Sequence, residues 1–226
     1  MLKTKFPRIP GDIGNFSTFN FPVVYRIVRE AGIDNVARKT DIRLLDAFIR
    51  EAKELENMGA KAITTSCGFL SLFQEELARS VRVPLFTSSL LLVPLVSMMI
   101  GKRKVGIITA NSENLTRKHL EGAGIDPSVP IVIKGLEDKK EFSKMILNDN
   151  PVGDIAKIRE EVRDAARELV RENPDVGAIV LECTNLPPYA KIIQEVTNLP
   201  VFDITILTNM VYNSLNRKEF VPNIIW

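Results

Sequence analysis

Apolar positions along the chain switch repeatedly between a helical period and short uninterrupted runs. FPVVYRIVREAG opens with Pro22 in a first turn and closes at Gly32, which predicts a helix. DIRLLDAFIREAKELENMG places Leu44, Leu45, Phe48, Ile49, Ala52 and Leu55 on one helical face. AKAITTS reads as a buried strand, GFLSLFQEELARS as a helix, and VPLFTSS as another strand. The same grammar returns downstream. KVGIITA is a strand and NSENLTRKHLEGAG a helix capped by Asn111 or Ser112. DIAKIREEVRDAARELVREN is amphipathic, GAIVLE is a strand, PPYAKIIQEV a helix and LPVFDI a strand. Strands that alternate with crossover helices predict an α/β fold with parallel sheets.

The two halves share details as well as grammar. AGID occurs at 31–34 and at 123–126, each time read as the close of a helix. AITTSC ends at Cys67 and AIVLEC ends at Cys183. A proline follows each cysteine by 17 residues, Pro84 in one half and Pro200 in the other, and each proline opens the next strand. These coincidences in register predict a duplicated unit. The second half is longer, and its excess, from Asp126 to Asp154, reads as a surface excursion with at most one short helix.

Composition narrows the class. The chain has 226 residues, 45% of them hydrophobic and 26% charged, with a formal net charge of +2. These values describe a soluble globular protein and give no reason to expect nucleic acid or membrane as partner. The apolar stretch Leu90–Ile100 is too short to cross a bilayer and predicts a buried or interface helix. The N-terminus lacks the apolar core of a signal peptide, so a cytoplasmic location is expected.

There are two cysteines and one histidine. Two thiols and a distant imidazole make neither a disulfide scaffold nor a zinc site. Lys61 stands at the wrong end of its strand for a pyridoxal Schiff base, and no cofactor or metal is expected. His119 reads as a surface or helix-end residue. A single cysteine in a core strand is ordinarily structural. A pair at matching strand-to-helix junctions points to chemistry, because ligands of parallel α/β sheets bind at the carboxyl ends of strands. Helix N-termini there are expected to lower the thiol pKa values and to receive a carboxylate. Two thiols facing each other across a pseudo-two-fold axis suit a racemase, which needs an acid and a base on opposite faces of one carbon.

TTSCGFLSLFQEEL and VLECTNLPPYA, the second with a C-x-x-L-P motif from Cys183 to Pro187, resemble the two cysteine motifs of the aspartate/glutamate racemase superfamily. That group includes hydantoin racemases, maleate isomerases and arylmalonate decarboxylases. The resemblance implies two flavodoxin-like domains related by pseudo-two-fold symmetry, with the active site between them, no cofactor and a homodimer. It places the first domain at 1–98, completed by 205–226, and the second at 99–204. Where aspartate racemases carry Asn-Thr after the first cysteine, this chain has Gly68 and Phe69. Where glutamate racemases carry a histidine after the second, it has Thr184 and Asn185. Those departures loosen the link to acidic amino acids.

Catalytic roles are expected for Cys67 and Cys183. Binding of a small carboxylate is expected from Gly11, Asp12, Asn15, Ser66, Gly68, Phe69, Ala110, Asn111, Ser112, Thr184 and Asn185. Asp12 could bind an ammonium group, orient Cys67 or only close an Asx turn. Thr184, Asn185 and Asn111 could equally serve as helix caps. The expected activity is a two-thiol racemase or epimerase for an amino acid, a related carboxylate or a hydantoin. The competing readings are a maleate-type cis–trans isomerase and a two-lobed binding protein without catalysis.

Overall fold

The computed structural model describes residues 1–39, 41–101 and 103–219. Two parallel sheets form. The larger has four strands in the order β4-β3-β5-β6: β3 is Lys104–Thr109, β4 Ile131–Gly135, β5 Val176–Leu181 and β6 Val201–Phe202. The smaller pairs β1, Ile63–Thr64, with β2, Leu85–Phe86. The helices are α1 Leu45–Asn57, α2 Gln74–Arg79, α3 Val93–Met99, α4 Arg117–Gly122, α5 Lys140–Phe142, α6 Ile155–Glu172, α7 Ala190–Thr197 and α8 Ile204–Leu215. Among the described residues no helix is long and apolar enough to cross a membrane.

The duplication holds at the level of hydrogen bonds. Ile63 pairs with Leu85 and Ile179 with Val201, the same offset in both halves. Ile63 N donates to Pro84 O and Ile179 N to Pro200 O, each at 2.9 Å. The N-terminal segment adds a reduced version of β3 and β4. Leu2 bridges Val28 in parallel, and Leu2 N donates to Ser66 Oγ at 3.0 Å.

Three expectations need correction. The segment from Pro22 to Gly32 is not a helix; it has no regular structure apart from a parallel bridge at Val28 and a turn after it. Its content of Val, Ile and Tyr favours an extended backbone as strongly as its spacing suits a helix. The AGID repeat is therefore out of structural register: at 31–34 it follows that bridge and turn, and at 123–126 it follows α4. The region from Asp126 to Asp154 is not a surface excursion either. It contributes β4 to the sheet and buries Leu136, Phe142, Met145, Ile146 and Leu147.

The larger sheet is covered on both faces, as parallel sheets are. Ile108, Ile179 and Leu181 pack with Ile158, Val162, Ala165 and Leu169 of α6 and Ile193 of α7. On the other face, Val105, Ile107, Ala178 and Val180 share one core with Phe69, Leu70, Leu90 and Val93 of the first half. The first half is thus docked on the second through a continuous apolar interface. Two hydrogen bonds reinforce it: Ser89 Oγ to Leu181 O at 2.5 Å, and Thr184 Oγ1 to Ser66 O at 2.8 Å. Helix α8 is capped by Asp203, which accepts from Thr205 N and Ile206 N. It buries Ile204 and Leu207 in the first-half core, and Tyr212 stacks on Phe21 at 3.9 Å. The last seven residues of the tail assigned to the first domain, 220–226, lie outside the described residues.

Candidate active site

Each cysteine closes a strand and begins a turn. Cys67 has extended backbone, and its carbonyl accepts from Leu70 N at 3.2 Å. Cys183 O accepts from Leu186 N at 3.0 Å in the equivalent turn. The amide of Phe69 points at the Cys67 sulfur and the amide of Asn185 at the Cys183 sulfur, two residues on in both cases. Both thiols border one narrow cavity of about 20 Å³, the space of a water molecule. Its apolar wall includes Leu2, Phe6, Phe69, Ala110 and Ile146.

The thiols are not activated in the expected direction. Burial pushes Cys67 up to about 12, and the nearby Glu182 carboxyl pushes the same way. Burial and Glu182 likewise raise Cys183 well above the usual thiol range. The amide donors act oppositely on both sulfurs, as a helix start should, but they are outweighed.

Of the other expected site residues, Ser66, Gly68, Phe69, Ala110, Thr184 and Asn185 border the cavity. Gly11, Asp12, Asn15, Asn111 and Ser112 do not border it. Asn111 Oδ1 accepts from Asn114 N at 3.1 Å, and helix α4 is capped by Thr116 instead. Ser112 is bonded through N and Oγ to Glu137. Asn15 holds Arg8 O, and Gly11 sits against Pro188 with a φ of +95°. Asp12 does close an Asx turn, accepting from Gly14 N at 2.7 Å. It does more: its other oxygen accepts from Asn185 Nδ2 at 2.6 Å, and Arg8 pairs with it at 3.1 Å. Asn185 Oδ1 in turn accepts from Cys183 Sγ at 3.5 Å. Asp12 is therefore linked by hydrogen bonds to Cys183 through Asn185, and not to Cys67. Thr184 caps no helix; its hydroxyl bridges the two halves.

Three positions around the cysteine turns escape the sequence reading. His119 is buried, bonded to Thr116 at the start of α4, and meets the Phe69 ring edge-on at 5.3 Å. Burial lowers its pKa. Its location depends on α4 folding back over the Gly68–Phe73 turn, which no local signal announces. Arg8 borders the cavity from the N-terminal loop. Glu182 precedes Cys183, is fully buried and borders the same cavity. Its signal was present, a lone acid ending the apolar run GAIVL.

A model of the Asp/Glu/hydantoin racemase family matches residues 29–208. The chain belongs to that family. Its curated relatives include a protein named dimethylsulfoniopropionate lyase from Durusdinium sp. clade D, 31% identical over 86% of this chain and 66% of that protein. Dimethylsulfoniopropionate lyase 7 of Emiliania huxleyi (strain CCMP1516) is 32% identical over 98% of this chain and 68% of its own length. The chain spans between 43% and 68% of the length of the curated relatives it matches. Among solved structures, a glycine-to-cysteine mutant of arylmalonate decarboxylase in a sulfate-associated form superposes with a TM-score of 0.65. That match covers 98% of this chain and 94% of the other at 13% identity, a likeness of fold. The two-unit α/β architecture is thus the racemase-family one.

Proposed function

We propose that this racemase-family protein is a cofactor-independent enzyme in which Cys67 and Cys183 move a proton at the carbon α to a carboxylate. The observation that carries the reading is the pair of equivalent strand ends that bring both thiols to one cavity. One sulfur, as thiolate, takes the Cα proton, and the electron pair spreads onto the carboxylate. The other, as thiol, returns a proton to the opposite face. The carbon is inverted, the sulfurs exchange protonation states, and nothing else is consumed. An amino acid, a related carboxylate or a hydantoin fits this chemistry. Such a ligand needs the walls of the cavity to part, and the same opening relieves the burial that holds both thiols protonated.

The relatives favour a second reading that shares the first step. After the Cα proton leaves, the electron pair can form a Cα=Cβ bond while a β-sulfonium group departs with its bonding pair as a neutral sulfide. Proton NMR in D2O separates the two, using enantiomeric amino acids, hydantoins, small diacids and a β-sulfonium propionate. A racemase exchanges the Cα proton and inverts the centre; a lyase produces olefinic signals. In a two-thiol racemase, Cys67→Ala and Cys183→Ala each lose inversion while exchanging opposite enantiomers with retention. A single variant that still inverts at the wild-type rate overturns the two-thiol mechanism.

A homodimer belongs to the same proposal. Helix α3 buries Val93 and Val96 but leaves Leu95, Met98 and Met99 exposed, Met98 by 70%. Sedimentation of a monomer at micromolar concentration would refute it.

A further inference from the structure

Most of the polar groups at the cavity are already engaged with one another. Thr184 is bonded to Ser66, Asn185 to Asp12, and Asp12 to Arg8. Among the described residues, four buried side-chain N or O atoms have no hydrogen-bond partner. Two of the four belong to residues bordering the cysteine cavity: Glu182 Oε1 and Arg8 Nε.

Glu182 is 0% exposed. Thr109 Oγ1 donates to its Oε2 at 2.7 Å, which makes Oε2 the carbonyl-like oxygen and leaves the acid proton for Oε1. Oε1 lies against Gly68, where an added Cβ would stand 2.2 Å from it. The carboxyl therefore reaches from the Cys183 strand end across to the Cys67 turn. Arg8 spends Nη1 on Asp12 and Nη2 on Thr4 Oγ1, at 3.1 and 3.0 Å, and stacks over Phe6. A buried donor without a partner costs about 1–3 kcal/mol. One acceptor with two oxygens relieves both donors.

We propose that Glu182 and Arg8 form the subsite for the substrate carboxylate, with Glu182 donating from Oε1 as a neutral acid and Arg8 supplying positive charge. The proposal rests on the carboxylate reading given above and assigns the residues that recognise it. Burial raises Glu182 to about 7, so the neutral acid is the resting form below neutrality. Thr109, which donates to it, pulls the other way but is outweighed by burial; the thiols beside it are protonated, and Arg8, the cation that borders the same cavity, is paired with Asp12. As the Cα proton leaves, charge grows on the carboxylate oxygens, and hydrogen bonds from a neutral acid and a guanidinium strengthen. An ionised Glu182 would do the reverse, repelling a carboxylate and attracting a cation.

Binding of acetate, measured across about pH 5 to 9 on the full chain, tests this without turnover. The range brackets Glu182's value of about 7. In wild type, acetate affinity is expected to fall about tenfold as pH rises through that value, the equivalent of one lost hydrogen bond. Glu182→Gln keeps a donor in the same place, so its affinity should stay near the acid-limb value at every pH. Glu182→Leu and Arg8→Leu should each bind about tenfold more weakly throughout. The infrared carbonyl band of protonated Glu182, absent from Glu182→Gln, should shift when acetate is added to wild type. That readout needs no variant to fold. Acetate affinity indifferent to pH and to Glu182→Leu, or an unmoved carbonyl band, overturns the proposal. So does binding of trimethylsulfonium that strengthens as pH rises. Failure of the thiol mechanism shows separately, as unaltered inversion by the cysteine variants with acetate binding intact.

Discussion

Gly68 and Glu182 stand one residue after and one before the two cysteines, and they are a matched pair. A side chain at 68 would meet Glu182 Oε1 at 2.2 Å and, more seriously, Glu182 O at 2.4 Å. The carbonyl belongs to a strand end and cannot give way, so Gly68→Ala should destabilise by about 1–3 kcal/mol. Adding Glu182→Ala should recover only part of that loss, because the backbone contact persists; thermal unfolding of the single and double variants measures both. The thiols make a second expectation at this scale. With Cys67 pushed up to about 12, its thiolate fraction at neutral pH is on the order of one in a hundred thousand. Alkylation by iodoacetamide should be slow at pH 7 and still accelerating at pH 10, whereas fast labelling at pH 7 would contradict the buried, protonated state. Cys67 and Cys183 were legible in the sequence because rare residues stood in matching registers. Arg8 at the cavity and His119 behind Phe69 were not, since each is placed by a fold-back of chain that carries no local pattern.

At the scale of elements, periodicity succeeded where length gave it weight. The 13-residue α1 and the 18-residue α6 follow their apolar faces closely. It failed at Pro22–Gly32, where one set of β-branched residues satisfied both a helical spacing and an extended backbone. The bridge to Leu2 decided the matter, a pairing between residues far apart in sequence. The region from Asp126 to Asp154 misled for another reason. Its Asp, Lys and Pro residues are real surface positions, yet they flank a strand and a helical turn whose apolar side chains are buried. Phe142, with no exposed surface, packs beside Ile158 and Val162 of α6. Phe142→Ala should therefore cost about 3–5 kcal/mol in denaturant unfolding, the range for a core aromatic. A loss under about 1 kcal/mol would restore the surface-excursion reading.

For the molecule as a whole, the duplicated plan brings the two cysteines together, and the docking of one half on the β3–β5 face encloses them. The enclosure buries a carboxyl, and that burial couples the stability of the entire fold to pH. Glu182 titrates near its ordinary value of 4.5 when the chain is unfolded and near 7 when it is folded. Below about 4.5 both states hold the proton and the residue contributes nothing. Between these values the unfolded chain has released a proton that the folded chain still holds, so stability falls as pH rises. Above about 7 both states are ionised and the deficit is constant. The rise from 4.5 to about 7 corresponds to roughly 3 kcal/mol. Other carboxylates work in the opposite sense, among them Glu168, which Lys134 and Lys139 hold low. They are common to wild type and Glu182→Gln and cancel in the difference between the two. The amide variant should accordingly match wild type near pH 4 and become progressively more stable than it up to about pH 7, by a few kcal/mol, with no further gain beyond. Unfolding curves collected in urea from pH 4 to 8 measure that difference directly. Parallel stability profiles would mean that Glu182 ionises as freely in the folded protein as in the unfolded chain, and the buried neutral acid would be lost as a feature of this site.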